Sequence, residues 1–294
     1  MEIGFCGTGR MGSAMVLRLL EQGHRLTVWN RTEAKAKPLL EHGARWAARP
    51  ADVAERHEFT LSILTDARAA EAVYGGADGL LARGAPGKIF IEMSTLTPEA
   101  TRRLAAAVAA KGAALLECPV GGTVGPAREG KLLGLAAGDA TAFERAKPLL
   151  EQLCRRVDYL GASGCGAAMK LAINLPLAVY WEALREAMSL IAGTGIDPTQ
   201  ALAIMQESSG GTNALKSRAA KIVTALGGGA PDVGFDIDGV RKDLRLMTEV
   251  AAEHGGALPV AAQTLAAYDA AARDGWGGRD GSSLVAWRPG APAR

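Results

Sequence analysis

The chain has 294 residues, 48% of them hydrophobic, enough for about two domains with cores of their own. Its 33 basic and 31 acidic residues leave a net charge of +2 and are mixed along the sequence, so neither a nucleic-acid surface nor a polybasic membrane patch is expected. No apolar run reaches the length of a membrane span, the N-terminus enters a strand at once, and Cys6, Cys118, Cys154 and Cys165 are scattered without a C-x-x-C pair; a cytoplasmic protein with reduced thiols and no metal site is expected.

The first predicted strand, Glu2 to Cys6, runs into Gly7, Gly9 and Gly12 at the G-x-G-x-x-G spacing, and a helical pattern follows from Met11 to Leu20. Gly7 allows a tight turn, Gly9 lets backbone approach a pyrophosphate, and Gly12 lets helix and strand pack closely. The helix N-terminus then faces the phosphates with unpaired N–H groups and the positive end of its dipole. The second strand, Arg25 to Trp29, ends at Asn30, Arg31 and Thr32, where an NAD-binding unit usually carries an acid for the ribose 2′-hydroxyl. With no acid there, Asn30, the Arg31 guanidinium and the Thr32 hydroxyl favour NADP, with NAD as a second cofactor. The competing explanation for Thr32 and Glu33 is a helix N-cap.

Further strands are predicted at Phe59 to Leu64, Lys88 to Met93, Ala114 to Glu117, Leu133 to Ala137 and Arg156 to Leu160, alternating with amphipathic helices. That alternation predicts a parallel sheet covered on both faces. After Gly161 no strand pattern returns, and Ala, Leu, Met and Glu recur at helical intervals. The expected fold is α/β: an N-terminal Rossmann-type doubly wound sheet over residues 1–161, then an all-α C-terminal domain over residues 162–294. The first helix of the second domain should run from Cys165 to Ala192, about 40 Å, and its several apolar faces point to burial at a domain or subunit interface. Breaks are expected at Gly193 to Pro198, Ser208 to Asn213 and Gly227 to Gly234, and a frayed end from Trp287 to Arg294.

Lys170 is the strongest candidate for proton transfer. It stands at i, i+4 spacing from Asn174, so both leave the same helix face within the apolar stretch Ala167 to Leu177. Desolvation there would lower a lysine pKa toward neutrality; on spacing alone, a lysine snorkelling from an interdomain helix is an equal reading. Ser94 and Thr95 sit where an open α/β sheet places its ligand crevice, although Thr95, Thr97 and Pro98 also suit a helix start. The segment Pro119 to Gly130 is glycine-dense. Its Gly121, Gly122 and Thr123 amides suit a carboxylate, with a glycine-requiring hairpin as the competing reading. Lys242 and Asp243 fall near the start of a helix, with Lys242 toward a cofactor and Asp243 as a cap or buried partner, or both on a solvated face.

Taken in order, GFCGTGRMG, the Asn-Arg-Thr at Asn30, MSTLTP at Met93, CPVGGTVGPAREGKL at Cys118, GASGCGAAMKLAIN at Gly161 and RKDLRL at Arg241 resemble the β-hydroxyacid dehydrogenase family over nearly the whole chain. The family includes 3-hydroxyisobutyrate dehydrogenases and glyoxylate/succinic semialdehyde reductases. The resemblance implies that Lys170 is the catalytic lysine and that Asn174 lies beside the substrate. It implies cofactor contacts by Gly7, Thr8, Gly9, Arg10, Met11, Gly12, Asn30, Arg31, Thr32, Leu64, Thr65, Thr95 and Lys242. Substrate contacts are implied for Ser94, Gly121, Gly122 and Thr123, and a homodimer or homotetramer joined through the long helix. Two departures stand out. Gly121 replaces the family's serine in the substrate loop, removing a donor that is worth about 1.5–3 kcal/mol to a carboxylate, and Ile173 replaces the asparagine that usually precedes Asn174. Asp236 and Asp238 add negative charge before Lys242.

The reading that results is an NADP-dependent oxidoreductase moving hydride to or from a small hydroxy acid or semialdehyde, with Lys170 handling the proton. Two alternatives accompany it. One is an imine reductase of related architecture, against which Lys170 speaks; the other is a nucleotide-binding module that has lost catalysis and acts through oligomerisation.

Overall fold

The structure of the protein, a computed structural model, describes residues 1–290. The chain divides into two compact units, Met1–Lys170 and Leu171–Arg294.

The first unit opens with β1 (Glu2–Cys6), α1 (Arg10–Glu21), β2 (Arg25–Trp29), α2 (Lys37–Glu41), β3 (Arg45–Trp46), α3 (Pro50–Arg56), β4 (Phe59–Ser62), α4 (Ala67–Gly75), β5 (Ile89–Glu92), α5 (Pro98–Ala109) and β6 (Ala114–Glu117). It continues with β7 (Val120–Gly121), α6 (Val124–Glu129), β8 (Leu132–Gly138), α7 (Ala140–Leu150) and β9 (Cys154–Tyr159). Among the described residues the strand order is β3-β2-β1-β4-β5-β6-β8-β7, with β9 beside β8. From β3 to β6 every pair is parallel, so the order reverses between β1 and β4, and the carboxyl ends of those strands open the crevice where such sheets take their ligands.

The strands are apolar on both faces because both are covered. Ile3, Phe5, Ile89, Ile91 and Leu116 join one core with Met15, Val16, Leu19 and Leu149, whereas the alternating Cys6, Phe90 and Leu115 join the other with Val53, Tyr74, Leu104 and Val108.

The sheet is not parallel throughout, as the alternation pattern had suggested. β8 runs antiparallel to β6 and β7. From β7 the return through α6 takes only residues 122–131, shorter than the dozen or more that a parallel crossover needs; the connection through α7 is longer, and β9 is parallel to β8. The two-residue strands β3 and β7 were not anticipated, being too short to show a period. β4 and β5 stop at Ser62 and Glu92, earlier than expected, since the residues beyond them turn into the loops that carry the site.

The second unit is helical: most of α8 (Cys165–Leu190), then α9 (Pro198–Glu207), α10 (Asn213–Leu226), α11 (Ile237–Glu253) and α12 (Pro259–Ala271). Asp197, Thr212 and Asp236 start α9, α10 and α11 by accepting backbone N–H groups with their side chains. Leu171, Ala178, Trp181, Leu184 and Met188, three to seven residues apart on α8, are buried with Leu202, Leu215, Ile222, Leu244, Met247 and Tyr268. Met169, Leu177 and Leu190 of the same helix are exposed.

The expected fraying from Trp287 is corrected at its start. Trp287 is 2% exposed, belongs to the core and donates from Nε1 to Asp274 (2.9 Å), because a large apolar ring with a satisfied N–H gains by burial. Residues 291–294 lie outside the described residues. No helix among the described residues is long and apolar enough to cross a membrane.

Candidate active site

The turn after β1 is built on glycine. Gly7 has φ +99°, and a Cβ there would lie 2.2 Å from the carbonyl oxygen of Ile63, at the end of β4. A Cβ on Gly12 would lie 1.9 Å from the Gly7 carbonyl oxygen, whereas one on Gly9 would meet nothing within 4 Å. Gly12 therefore seats the helix against the strand, and Gly9 borders open space. Three observations fit a dinucleotide at this turn. The N-terminus of α1 has no side-chain cap and no acid in its first turn, Gly9 leaves room for a ligand, and the buried Thr8 hydroxyl has no hydrogen-bond partner.

Asn30 is committed to the scaffold, since Oδ1 accepts from the Thr8 amide (3.0 Å) and Nδ2 donates to the Thr32 carbonyl (2.8 Å). Arg31 and Thr32 are exposed beside it. Thr32 precedes a single 3₁₀ turn and makes no capping bond with its side chain, so the capping explanation for it is not realised. Arg10 and Met11 open α1, with Arg10 exposed and Met11 half-buried.

A second group joins the ends of β4 and β5. Ser94 Oγ accepts from the Leu64 amide (2.6 Å), tying the two loops together, while Thr65 is exposed and Thr95 half-buried. Thr97, not Thr95, starts α5, accepting from the Ala100 amide (3.1 Å). Sequence reasoning missed the support beneath Ser94. Glu92, fully buried at the end of β5, accepts from the Ser94 amide (2.8 Å) and from the Ser62 hydroxyl (2.5 Å). The Tyr74 hydroxyl, 2.7 Å from Ser62 Oγ, is the donor there, because Ser62 gives its proton to Glu92. Burial pushes the Glu92 carboxyl above its ordinary range, against the opposing pull of Ser62 and Ser94.

In the segment Pro119 to Gly130 the chain forms β7 and α6, not a plain loop. Gly122 has φ +128°, and a Cβ there would reach Leu132 at 2.7 Å, so this glycine is needed for conformation. Gly121 and Thr123 flank it half-buried, and Thr123 precedes α6 without a side-chain capping bond. Just before this segment, the buried Glu117 ends β6 and accepts from the amides of Gly164 (2.5 Å), Gly166 (3.2 Å) and Ala167 (3.1 Å) at the start of α8. Burial raises its carboxyl pKa, with those three amides and Arg102 pulling the other way. Lys170 stands one turn further along α8 and is 8% exposed. A sequence signal for both glutamates existed: each is an acid closing an otherwise apolar strand, and they are register neighbours at the carboxyl edge.

In the second unit, Asn174 donates to Asp243 Oδ2 (2.7 Å), and Lys242 pairs with Asp243 Oδ1 (2.9 Å). Asp243 is therefore a buried partner and Lys242 is half-buried, not on a solvated face. Of the two preceding acids, Asp236 starts α11 and Asp238 pairs with Arg241 (2.6 Å).

Comparison with known proteins agrees with this geometry. Residues 2–161 match the family described as the NAD binding domain of 6-phosphogluconate dehydrogenase, and residues 164–288 the one described as NAD-binding of NADP-dependent 3-hydroxyisobutyrate dehydrogenase. The chain is 34% identical to glyoxylate/succinic semialdehyde reductase 1 of Arabidopsis thaliana, over 97% of each chain. It is 39% identical to 3-hydroxyisobutyrate dehydrogenase of Pseudomonas aeruginosa, over 73% of this chain and 72% of that one. A solved structure of Mycobacterium tuberculosis 3-hydroxyisobutyrate dehydrogenase with L-serine superposes with a TM-score of 0.84 at 25% identity, covering 97% of each chain.

The chain belongs to the β-hydroxyacid dehydrogenase family.

The dehydrogenase is thus an NAD(P)-dependent enzyme, and its first unit carries the dinucleotide turn described above. Three of its thiols, Cys6, Cys118 and Cys154, are buried, whereas Cys165, on the first turn of α8, is exposed. Burial pushes Cys154 up to about 12, so this thiol is inert in the dehydrogenase at neutral pH.

Proposed function

We propose that this dehydrogenase uses NADP, with NAD as a weaker alternative, and acts on a small β-hydroxy acid or semialdehyde with Lys170 as the proton donor and acceptor. The observation that carries the reading is the burial of Lys170 on the second turn of α8, a helix whose first turn is held at the carboxyl edge of the sheet. When bound, the nicotinamide supplies or accepts the hydride. In reduction the Lys170 ammonium delivers a proton to the substrate oxygen and stabilises its developing negative charge; in oxidation the amine takes the hydroxyl proton. Ser94, Gly121, Gly122 and Thr123 anchor the far end of the substrate, and Asn174, held by Asp243, orients the reacting end.

Gly7, Thr8, Gly9, Arg10, Met11 and Gly12 would hold the dinucleotide, with Leu64, Thr65, Thr95 and Lys242 as further contacts. The preference for NADP is supported by the exposed Arg31 and Thr32 at the end of β2, where no acid stands, and by the description of the family matched by residues 164–288. The substrate class is supported by the two relatives named for semialdehydes and 3-hydroxyisobutyrate. The reading divides the chain into a dinucleotide domain over residues 1–161 and a substrate domain over residues 162–294. It includes assembly as a homodimer or homotetramer, supported by the exposed Met169, Leu177 and Leu190 of α8 and testable by light scattering. A cytoplasmic setting keeps the four free thiols reduced.

The test is turnover of NADPH and NADH across semialdehydes, glyoxylate, hydroxy acids and cyclic imines, for the parent and Lys170→Ala. The variant is expected to lose about 10²–10⁴-fold in kcat with NADPH affinity within threefold. Undiminished turnover would remove the lysine from the reaction, and turnover of imines alone would reassign the substrate.

A further inference from the structure

We propose that Glu117 is the positioning residue of Lys170: reaching from the end of β6, its carboxylate holds the first turn of α8 and so fixes the direction in which the lysine leaves the helix. This rests on the role of Lys170 argued above.

The N–H groups of a helix's first turn have no partner within the helix. They are usually met by a side chain next to the helix in sequence, as Asp139 does for α7 and Asp236 for α11. At α8 the acceptor comes from 47 to 50 residues away. Oε1 of Glu117 takes the amides of Gly164 and Gly166, and Oε2 takes that of Ala167. A bidentate grip of this kind fixes both the height of the helix on the sheet and its rotation, because the two oxygens hold successive amides of the turn.

The floor is closed as well. A Cβ on Gly166 would lie 2.5 Å from the Leu135 carbonyl oxygen and 3.2 Å from Glu117 Cδ. Gly164, with φ +100°, would bring a Cβ to 2.8 Å from Arg102 Nη1 and 3.3 Å from Pro98. The start of α8 is therefore pressed onto β8 and α5 at two points where only glycine fits.

Two of the gripped residues share a face with the lysine. Gly166 and Lys170 stand at i, i+4 and Ala167 and Lys170 at i, i+3, so the held amides lie one turn below the Lys170 side chain. A helix turns about 100° per residue, so a small slip at the grip swings the lysine off its line. A neutral cap would avoid the cost of burying a charge; a buried carboxylate set among three amides gives directional hold instead.

The experiment compares Glu117→Gln, Gly166→Ala, Lys170→Ala and the double variant Glu117→Gln/Lys170→Ala, using steady-state kinetics with NADPH and the semialdehyde that the parent reduces fastest. NADPH binding stoichiometry by fluorescence reports the folded fraction. Glu117→Gln keeps the shape but turns an amide NH₂ toward a backbone donor; Gly166→Ala lifts the helix with Glu117 intact. Both are expected to lower kcat at least tenfold per folded site, with the NADPH Kd and the substrate KM within twofold. The double variant should be no slower than Lys170→Ala, since Glu117 acts only through the lysine. If Glu117→Gln gives no folded protein, Gly166→Ala and Glu117→Asp carry the test on the same criteria. Parental kcat per folded site in Glu117→Gln and Gly166→Ala, or an additional loss in the double variant, overturns the proposal. Undiminished turnover by Lys170→Ala is instead the failure of the lysine reading, and Lys170→Ala separates the two.

Discussion

Gly12→Ala isolates the dinucleotide turn with a single methyl group. That methyl would sit 1.9 Å from the Gly7 carbonyl oxygen and 3.0 Å from both the Gly7 carbonyl carbon and Ile63 Cγ2, whereas ordinary contact begins at 3.4 Å. The start of α1 must therefore retreat by about 1.5 Å. No flexible side-chain end can absorb the shift, because the main obstacle is backbone and the Gly7 amide is bonded to the Trp29 carbonyl oxygen at 2.9 Å. Overpacking of this kind costs about 1–3 kcal/mol, and drawing back one amide from a phosphate removes a charge-assisted hydrogen bond of about 1.5–3 kcal/mol. The expected result is a melting temperature lower by roughly 4–8 °C and an NADPH Kd raised about 30-fold, which corresponds to ~2 kcal/mol. Differential scanning calorimetry without cofactor and isothermal titration with NADPH measure the two separately. An unchanged melting temperature together with a Kd within threefold of the parent would refute the assignment of this turn.

Arg31→Ala should weaken NADPH by about tenfold to a hundredfold, the worth of a charge-assisted hydrogen bond, and leave NADH within threefold, as read from the two Kd values; equal losses would remove the specificity argument. Asp243→Ala deletes the buried acid shared by Asn174 and Lys242 and should cost about 3–5 kcal/mol in urea unfolding, with Asp243→Asn recovering part of it through Asn174. Asp280 gives a pH prediction. Burial pushes its carboxyl upward, but the Ser282 hydroxyl, the Gly234 amide and Arg218 outweigh that, and its pKa lies below the ordinary 3.8. A depressed carboxyl stabilises the fold above the unfolded value and loses that contribution as pH falls through the folded one. Unfolding free energy should therefore drop on acidification below about pH 4 in the parent, and the drop should be shallower in Asp280→Asn.

The sequence announced the dinucleotide turn because the spacing of Gly7, Gly9 and Gly12 is a steric requirement, and the structure places a carbonyl oxygen where two of the missing side chains would be. The central strands were legible for a similar reason: burial on both faces leaves runs such as Ile89–Glu92 without polar alternation. Direction was not legible. Nothing in the residues of β8 distinguishes an antiparallel neighbour from a parallel one, since the choice belongs to the length of the return through α6. The supporting acids were hidden for another reason. Glu92 and Glu117 show in the sequence only as acids closing apolar strands, and it is tertiary structure that brings Ser62, Tyr74 and the amides of α8 to them. Asn30, whose sequence position suggested ligand contact, also braces Thr8 and Thr32 through its amide, a role the sequence did not announce.

The burial of Trp287 bears on how the protein is made. Leu284, Val285 and Trp287 complete the same cluster as Leu171 and Trp181, so the helical unit cannot close its interior until the ribosome has added nearly all of its residues. The nucleotide-binding sheet, assembled from earlier residues, is free to mature during elongation. Premature release shortly before Trp287 would then yield a chain with one finished half and one half exposing a row of leucines, a species that chaperones and proteases should recognise.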